Sequence, residues 1–300
     1  MASVKYKPFL KWAGGKTNIL PSIINRIPNK INNYHELFLG GGSVLIKVLE
    51  LQKENKIKIK NKIYAYDANK SLINLYKDVQ NNKEDLFKFI TKYLDEYNSI
   101  EGIVVNRKPN NIEEAKTSKE SYYYWIRKQF NIMPKNTIEY SALFMFINKT
   151  CFRGLYRVGP NGYNVPYGHY KTTPKIITKN ELDNISDLIK DVVFECCDFN
   201  ISINKVKKKD FVYLDPPYVP EKKTSFVGYN LNGFDLENHN KLFKHILNFK
   251  DKKIKFVLSN SKTDLVLDSF KDYQKEDIIA KRAINSKNPD SKVTELIIYN

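Results

Sequence analysis

The stretch Asp210-Phe211-Val212-Tyr213-Leu214-Asp215-Pro216-Pro217-Tyr218 changes character at a single residue. Phe211 to Leu214 is apolar, β-branched and aromatic, the composition of a buried strand. Two consecutive prolines cannot extend that strand, because neither brings an N–H to a sheet ladder. The chain is therefore expected to leave the sheet at Asp215. A carboxylate, a proline carbonyl and the Tyr218 ring then emerge together at a strand's C-terminal end, the edge where open α/β sheets bind ligands. Such a set can hold a flat ring bearing an amino group, with Asp215 and the Pro216 carbonyl as acceptors and Tyr218 stacked on the ring. The plain alternative is a strand, a Pro-Pro turn and a solvated Asp. Four residues alone do not separate the two.

The surrounding pattern places this strand in a sheet. Tyr34 to Leu39 reads as a strand running into Gly40-Gly41-Gly42, and Ser43 to Glu50 has apolar residues at helical spacing. Lys62 to Tyr66 is a further strand, ending at Asp67. Strand, glycine turn, helix, strand and acid make one half of a nucleotide-binding α/β unit. Strand character returns at Val192–Cys196 and Ile254–Leu258, and Glu276–Ile279 with Val293–Tyr299 form a closing antiparallel pair. Between the halves, Ser71 to about Ile147 is helical with a polar break at Asn106–Asn111, and Gly154–Gly168 reads as a hairpin or loop. The expected fold class is α/β, its core split by a mostly helical segment.

Composition narrows the function. Three hundred residues suit one large domain or a core with an insert. A net charge of +17 favours a polyanionic partner, although a Lys-, Asn- and Ile-rich chain also arises from an AT-rich genome. Three cysteines, two adjacent, make neither a disulfide framework nor a spaced metal site, and the four histidines pair with none of them. No metal is expected. No apolar run reaches the length of a membrane span and Met1–Pro8 lacks a signal-peptide core, so an intracellular location is expected. Gly14-Gly15-Lys16-Thr17 ends like a P-loop, but Leu10 stands where its first glycine belongs. Leu45 likewise stands where a dinucleotide fingerprint needs its third glycine. Gly40–Gly42 fits better as a tight turn that lets a ligand approach the backbone. Asp67 at a strand end suits a ribose diol, which points to an adenosine derivative such as S-adenosylmethionine. Tyr122-Tyr123-Tyr124-Trp125 has two readings, a base-stacking platform or the core of the helical insert.

The ordered set of segments resembles the Dam family of DNA N6-adenine methyltransferases, α group, nearly end to end. The matching stretches are Phe9–Lys16, Glu36–Ser43, Tyr66–Asn69 with Leu72–Tyr76, Asn148–Arg157 with Gly162–Gly168, Cys197-Asp198-Phe199, the Asp215 tetrad, Phe226–Phe234, Ser259-Asn260-Ser261 and Arg282-Ala283-Ile284. The resemblance implies a Rossmann-like S-adenosylmethionine-dependent sheet, with residues 1–69 and 186–300 catalytic and 70–185 an inserted DNA target-recognition domain. It implies that Trp12 and Lys16 line the methionine end of the cofactor and that Phe38, Gly40 and Gly42 shape its pocket. Asp67 would hold the ribose, with Asp198 and Phe199 beside the adenine. Asp215, Pro216 and Tyr218 would be catalytic, Asp215 also bordering the cofactor. Lys11, Arg157, Asn164 and Pro166 would contact duplex DNA. The hairpin from Arg157 to Pro166 is about one residue shorter than the family pattern, and Gly159-Pro160 replaces polar residues there. The target is therefore GATC or another short adenine-containing palindrome. The resemblance also leaves room for a separately acting restriction endonuclease. The rival readings are a methyltransferase for RNA or another substrate with the same pocket, and a catalytically silent DNA-binding homologue.

Overall fold

The computed structural model describes residues 6–220, 234–281 and 292–300. The elements that position the site are, in chain order, β1 (Tyr34–Glu36), α1 (Ser43–Lys53), β2 (Ile63–Asp67), α2 (Lys70–Asn81), α3 (Lys83–Asn98), α4 (Lys119–Ile132), α5 (Ile138–Thr150), α6 (Lys179–Ile189), β3 (Val192–Cys196), β4 (Phe211–Leu214), α7 (Leu236–Leu247), β5 (Lys255–Ser261), α8 (Asp264–Ser269), β6 (Gln274–Lys281) and β7 (Lys292–Tyr299). They fall into two compact units. One holds residues 1–7, 14–69 and 191–300; the other holds 8–13 and 70–190.

The first unit is built on a seven-stranded sheet in the order β6-β7-β5-β4-β1-β2-β3. The five strands from β5 to β3 run parallel. β7 is antiparallel to β5 and β6 antiparallel to β7, as the two closing runs of the sequence imply. β4 is buried at all four positions, which is why its sequence is continuously apolar rather than alternating. Val212, Leu214, Phe256 and Leu258 share one core with Leu242 and Ile246 of α7. At the strands' N-terminal edge, buried Asp210 bonds His35 at 3.2 Å and the Asn33 side chain at 2.8 Å, tying the start of β1 to that of β4. His35 is thus a structural histidine.

β1 is shorter than the sequence run, because its regular pairing stops at Glu36. Leu37 N–H still donates to Tyr213 O at 3.1 Å and Leu39 N–H to Tyr66 O at 2.8 Å, so the chain peels away one residue at a time toward the glycines. Successive strands run outward from β1 in both directions, which makes the β1–β4 boundary the switch point of the sheet.

The second unit is helical. α5 is buried from Tyr140 to Asn148 and forms its centre. Side-chain caps start three of its helices, with Ser118 on α4, Thr137 on α5 and a Thr178–Glu181 capping box on α6. The helical run breaks between α3 and α4, around the polar stretch Asn106–Asn111, where Asn111 caps a single turn at Ile112–Ala115. Tyr122 and Tyr123 are fully buried and bond Glu96 and Val165 O, both at 2.7 Å, so this half of the aromatic run is core. The glycine-rich stretch holds a two-strand hairpin, Val158–Gly159 against Gly162–Tyr163. Gly162 takes φ +92, a conformation that costs a side-chain-bearing residue dearly. Pro8–Ala13 belongs to this unit too, with Phe9 edge-on to Tyr76 at 5.0 Å.

Candidate active site

The expected ligand edge of the first unit is assembled from four neighbouring strand ends. In sheet order, Asp215 follows β4, Gly40–Gly42 follow β1, Asp67 ends β2, and Asp198 and Phe199 follow β3. Cys197 N–H donates to Asp67 O at 3.2 Å, which continues the edge beyond the last regular pair.

Asp215 is not a free acceptor. Its carboxylate meets Lys16 Nζ at 2.9 Å, and Lys16 is only 5% exposed. The glycine turn before Lys16 supplies a second acceptor, Gly14 O, at 2.6 Å. Lys16's own N–H donates to Ser43 Oγ at 3.2 Å, which fixes the turn against the start of α1. The ammonium also lies 4.9 Å from the centroid of the Tyr218 ring. Tyr218 donates its hydroxyl hydrogen to Glu295 of β7 at 2.9 Å. Burial pushes the Asp215 carboxyl up to about 6, Lys16 pulls it back, and the negative charge of Glu295 adds to the rise. At the end of the neighbouring β1, burial lifts Glu36 to about 8 despite the hydrogen bond it accepts from Tyr34 at 2.6 Å.

Asp67 is held by backbone. Gly40 N–H donates to Oδ2 at 3.0 Å and Asn69 N–H to Oδ1 at 2.8 Å. Each carboxylate oxygen keeps a further lone pair, so the group can still accept two hydroxyls. Gly42, at φ +68, turns the chain into α1. Phe38 lies 6.0 Å from Phe199, and Phe234 packs on both rings. Asp198 caps the short helix Phe199–Ser202, accepting Asn200 N–H at 2.9 Å. A diol-binding carboxylate at one strand end and a pair of flat apolar rings at the neighbouring ends suit a nucleoside. Among the described residues no group of His, Cys, Asp and Glu is arranged to hold a metal ion.

The remaining predicted residues lie in the helical unit. Lys11 is exposed, and its peptide is clamped from both sides by Asn148, which accepts Lys11 N–H at 2.9 Å and donates to Lys11 O at 2.7 Å. Its Nζ reaches Tyr170 OH at 3.1 Å. Trp12 stacks on Tyr156 at 5.5 Å and meets Phe144 edge-on. Arg157 and Asn164 sit on opposite arms of the hairpin and bond each other, Nε to Oδ1 at 2.6 Å and guanidinium to Asn164 O at 3.2 Å. Pro166 is exposed two residues on.

Comparison with known proteins decides the family. The model of the D12 class N6 adenine-specific DNA methyltransferases matches residues 12–285. The chain is 37% identical to Type II methyltransferase M.MjaIII of Methanocaldococcus jannaschii, over 99% of this chain and all of that protein. It is 31% identical to Type II methyltransferase M1.LlaDCHI of Lactococcus lactis subsp. cremoris, covering 99% and 96% of the two chains. It is 32% identical to the DNA adenine methylase of Haemophilus influenzae, covering 98% and 93%. The chain belongs to the D12 class of N6 adenine-specific DNA methyltransferases.

Three features of this DNA adenine methyltransferase escaped the sequence. Glu295 carries no motif of its own and reaches Tyr218 only through the β5–β7 pairing. The Lys16–Asp215 pair joins residues 199 positions apart; the sequence put Lys16 beside the cofactor's methionine end but gave nothing that pairs it with Asp215. Arg157 and Asn164 each stood out as DNA contacts, while their mutual bonds depend on the hairpin register. Of the matching stretches, Phe226–Phe234 lies outside the described residues except for Phe234, and Arg282–Ile284 lies outside them entirely.

Proposed function

We propose that the methyltransferase uses S-adenosylmethionine to methylate N6 of an adenine flipped out of duplex DNA. The observation that carries this reading is the side-by-side placement of the Asp215–Tyr218 turn, the Gly40–Gly42 turn and Asp67 on three adjacent strand ends at the switch point. Asp67 fits the ribose diol, Phe38 and Phe199 with Asp198 fit the adenine ring, and Gly40 and Gly42 admit the ligand close to the backbone. Trp12 and Lys16 are assigned to the methionine end. When bound, the cofactor supplies an electrophilic methyl group.

N6 lies inside a base pair, so the base must leave the stack to be reached. Asp215 and the Pro216 carbonyl accept the two N–H groups of the amino nitrogen. That nitrogen is a poor nucleophile because its lone pair is delocalised into the ring. Two acceptors favour a pyramidal nitrogen with its lone pair directed out of the ring plane. Tyr218 stacks on the base and keeps it there. Lys16 holds Asp215 in place and favours its charged form. Holding both reactants in line is worth ~7–11 kcal/mol. Once N6 carries the methyl group its extra proton is acidic and leaves readily, so Asp215 need not be a strong base.

The helical unit is assigned to target reading, with residues 70–185 as its inserted span and 1–69 with 186–300 as the catalytic part. Lys11, Arg157, Asn164 and Pro166 are the DNA contacts. Arg157 suits a guanine edge and Pro166 an apolar base edge such as a thymine methyl. The target is GATC or another short adenine-containing palindrome. Two relatives are named as Type II methyltransferases, which supports a restriction-modification setting inside the cell, with an endonuclease acting separately. Incubation with methyl-labelled cofactor and plasmid, followed by sequencing of the modified bases, tests the reading. N6-methyladenine at one short palindrome is expected. Label in RNA or protein, or none, overturns it.

A further inference from the structure

Ser259-Asn260-Ser261 and Glu295 have no part in the mechanism above, yet both meet the catalytic turn. Val219 directly follows the tetrad. Its N–H donates to Asn260 Oδ1 at 3.1 Å, and its carbonyl accepts from Ser261 Oγ at 2.6 Å. Asn260 Oδ1 also accepts Ser261 N–H at 2.8 Å. Two N–H donors therefore fix which end of the Asn260 amide faces the turn. The other end, Nδ2, is buried with no hydrogen-bond partner among the described residues. A buried donor left unpaired is costly, so this position is held for its oxygen. Glu295 stands directly opposite Ser261 in the β5–β7 ladder and accepts the Tyr218 hydroxyl at 2.9 Å.

The turn is thus fixed from both sides. β4 and the fixed φ of two prolines set its entry. Its exit is tied through the backbone of Val219 and the hydroxyl of Tyr218. The Tyr218 ring is gripped at its tip by Glu295 and over one face by Lys16. A ring free at its tip would swing about χ1 and χ2, and stacking on a base requires one orientation.

We propose that Asn260, Ser261 and Glu295 are positioning residues that form a clasp across the ends of β5 and β7, setting the Tyr218 ring and the Asp215–Pro216 acceptors for the displaced adenine. This rests on the reading of Asp215–Tyr218 as the adenine pocket. The clasp also carries charge. Asp215 faces Lys16, Glu36, Tyr213, Tyr218 and Glu295, and Glu295 opposes its ionisation.

Single-turnover methylation by Glu295→Leu, Glu295→Gln, Tyr218→Phe and the double variant Glu295→Leu/Tyr218→Phe tests the clasp. Thermal unfolding and S-adenosylhomocysteine calorimetry confirm folded, ligand-competent protein. Glu295→Leu is expected to slow the single-turnover rate about ten- to a hundredfold, the worth of a hydrogen bond to a charged group, with KM for DNA unchanged. Glu295→Gln keeps the acceptor and recovers most of the rate. It also moves the acid limb of the pH profile downward, because a negative charge beside Asp215 is gone. In the Tyr218→Phe background Glu295→Leu costs nothing more. Wild-type rates in Glu295→Leu, or a full additional loss in the double variant, overturn the clasp. Should Glu295→Leu not fold, Glu295→Gln decides: an acid limb that stays in place overturns it. Wild-type enzyme that methylates no adenine overturns the parent reading instead, so the two failures are distinct.

Discussion

The strand-end edge of the α/β unit and the hairpin of the helical unit hold their polar residues in opposite ways. At the edge, Lys16 is buried and Asp215 and Asp67 are largely enclosed, and each is tied to backbone or to a charge that a strand, a turn or a helix start delivers. At the hairpin, Arg157, Asn164 and Pro166 are exposed and flank strands of two residues each, and Arg157 bonds Asn164 across them. On the proposed reading, chemistry that tolerates little displacement falls where the sheet leaves no freedom, and contacts that choose among sequences fall on an exposed hairpin. The comparison predicts large, rate-specific effects at the edge and small, sequence-specific effects at the hairpin.

The largest effect belongs to Asp215→Ala. Methyl transfer in a plasmid assay should fall by more than about a hundredfold, as when a preorganised polar group at a reacting centre is lost. Lys16 then keeps a buried charge without its carboxylate, so a stability loss of about 1–3 kcal/mol should accompany it in thermal unfolding. Near-normal turnover would remove Asp215 from the chemistry. Next comes Asp67→Ala. The dissociation constant for S-adenosylhomocysteine should rise about ten- to a hundredfold in calorimetry, with DNA affinity unchanged, because the lost bonds are to hydroxyls of the cofactor alone. Equal affinity would mean that the end of β2 holds no ribose.

Arg157→Ala should act on the other side of the comparison. A cost of ~1–3 kcal/mol is expected at one base pair, with specificity relaxed there and the rate at the edge retained. Sequencing of methylated plasmid reads it. If every site slows alike and the salt dependence flattens, Arg157 touches phosphate rather than a base.

The smallest effect is one of pH. Asp215 is raised from 3.8 to about 6, so its charged form is lost as pH falls through that value. The methylation rate should drop to about half near pH 6 and about tenfold for each further unit. Stability runs the other way. Between pH 3.8 and 6 the folded carboxyl holds a proton that the unfolded one has released, so this group's contribution falls as pH rises through that window. A rate flat from pH 7 to 5 would break the link between the buried edge and its titration.

Much of the α/β unit was legible because its signals are local. The glycine turn after β1, the acid ending β2 and the prolines ending β4 each state in a few residues where a strand must stop. The antiparallel pair was readable from two β-branched runs at the chain's end. What stayed hidden is pairing over distance. Glu295 bonds Tyr218 across 77 residues, and Lys16 meets Asp215 across 199. Neither partner carries a pattern naming the other, because the sheet order that joins them is a property of the whole fold. The hairpin lies between these cases. Its glycines announce a turn, but the register that joins Arg157 to Asn164 is set by which residue of the turn takes positive φ, here Gly162.

The Asn148 clamp on Lys11 spans 137 residues of sequence. It makes the first turnings of the chain part of a unit whose other residues are made much later. On a ribosome, Pro8–Ala13 emerges well before its partners on α5 and around Tyr156, which follow only after the first two strands of the sheet. The helical unit therefore cannot be completed in the order in which it is synthesised. Phe9, Lys11 and Trp12 must wait, unpaired, until α5 and the hairpin exist to receive them. A trimmed chain beginning at residue 14 would keep every strand of the sheet. It would still leave Tyr76, Phe144 and Tyr156 without the rings that cover them.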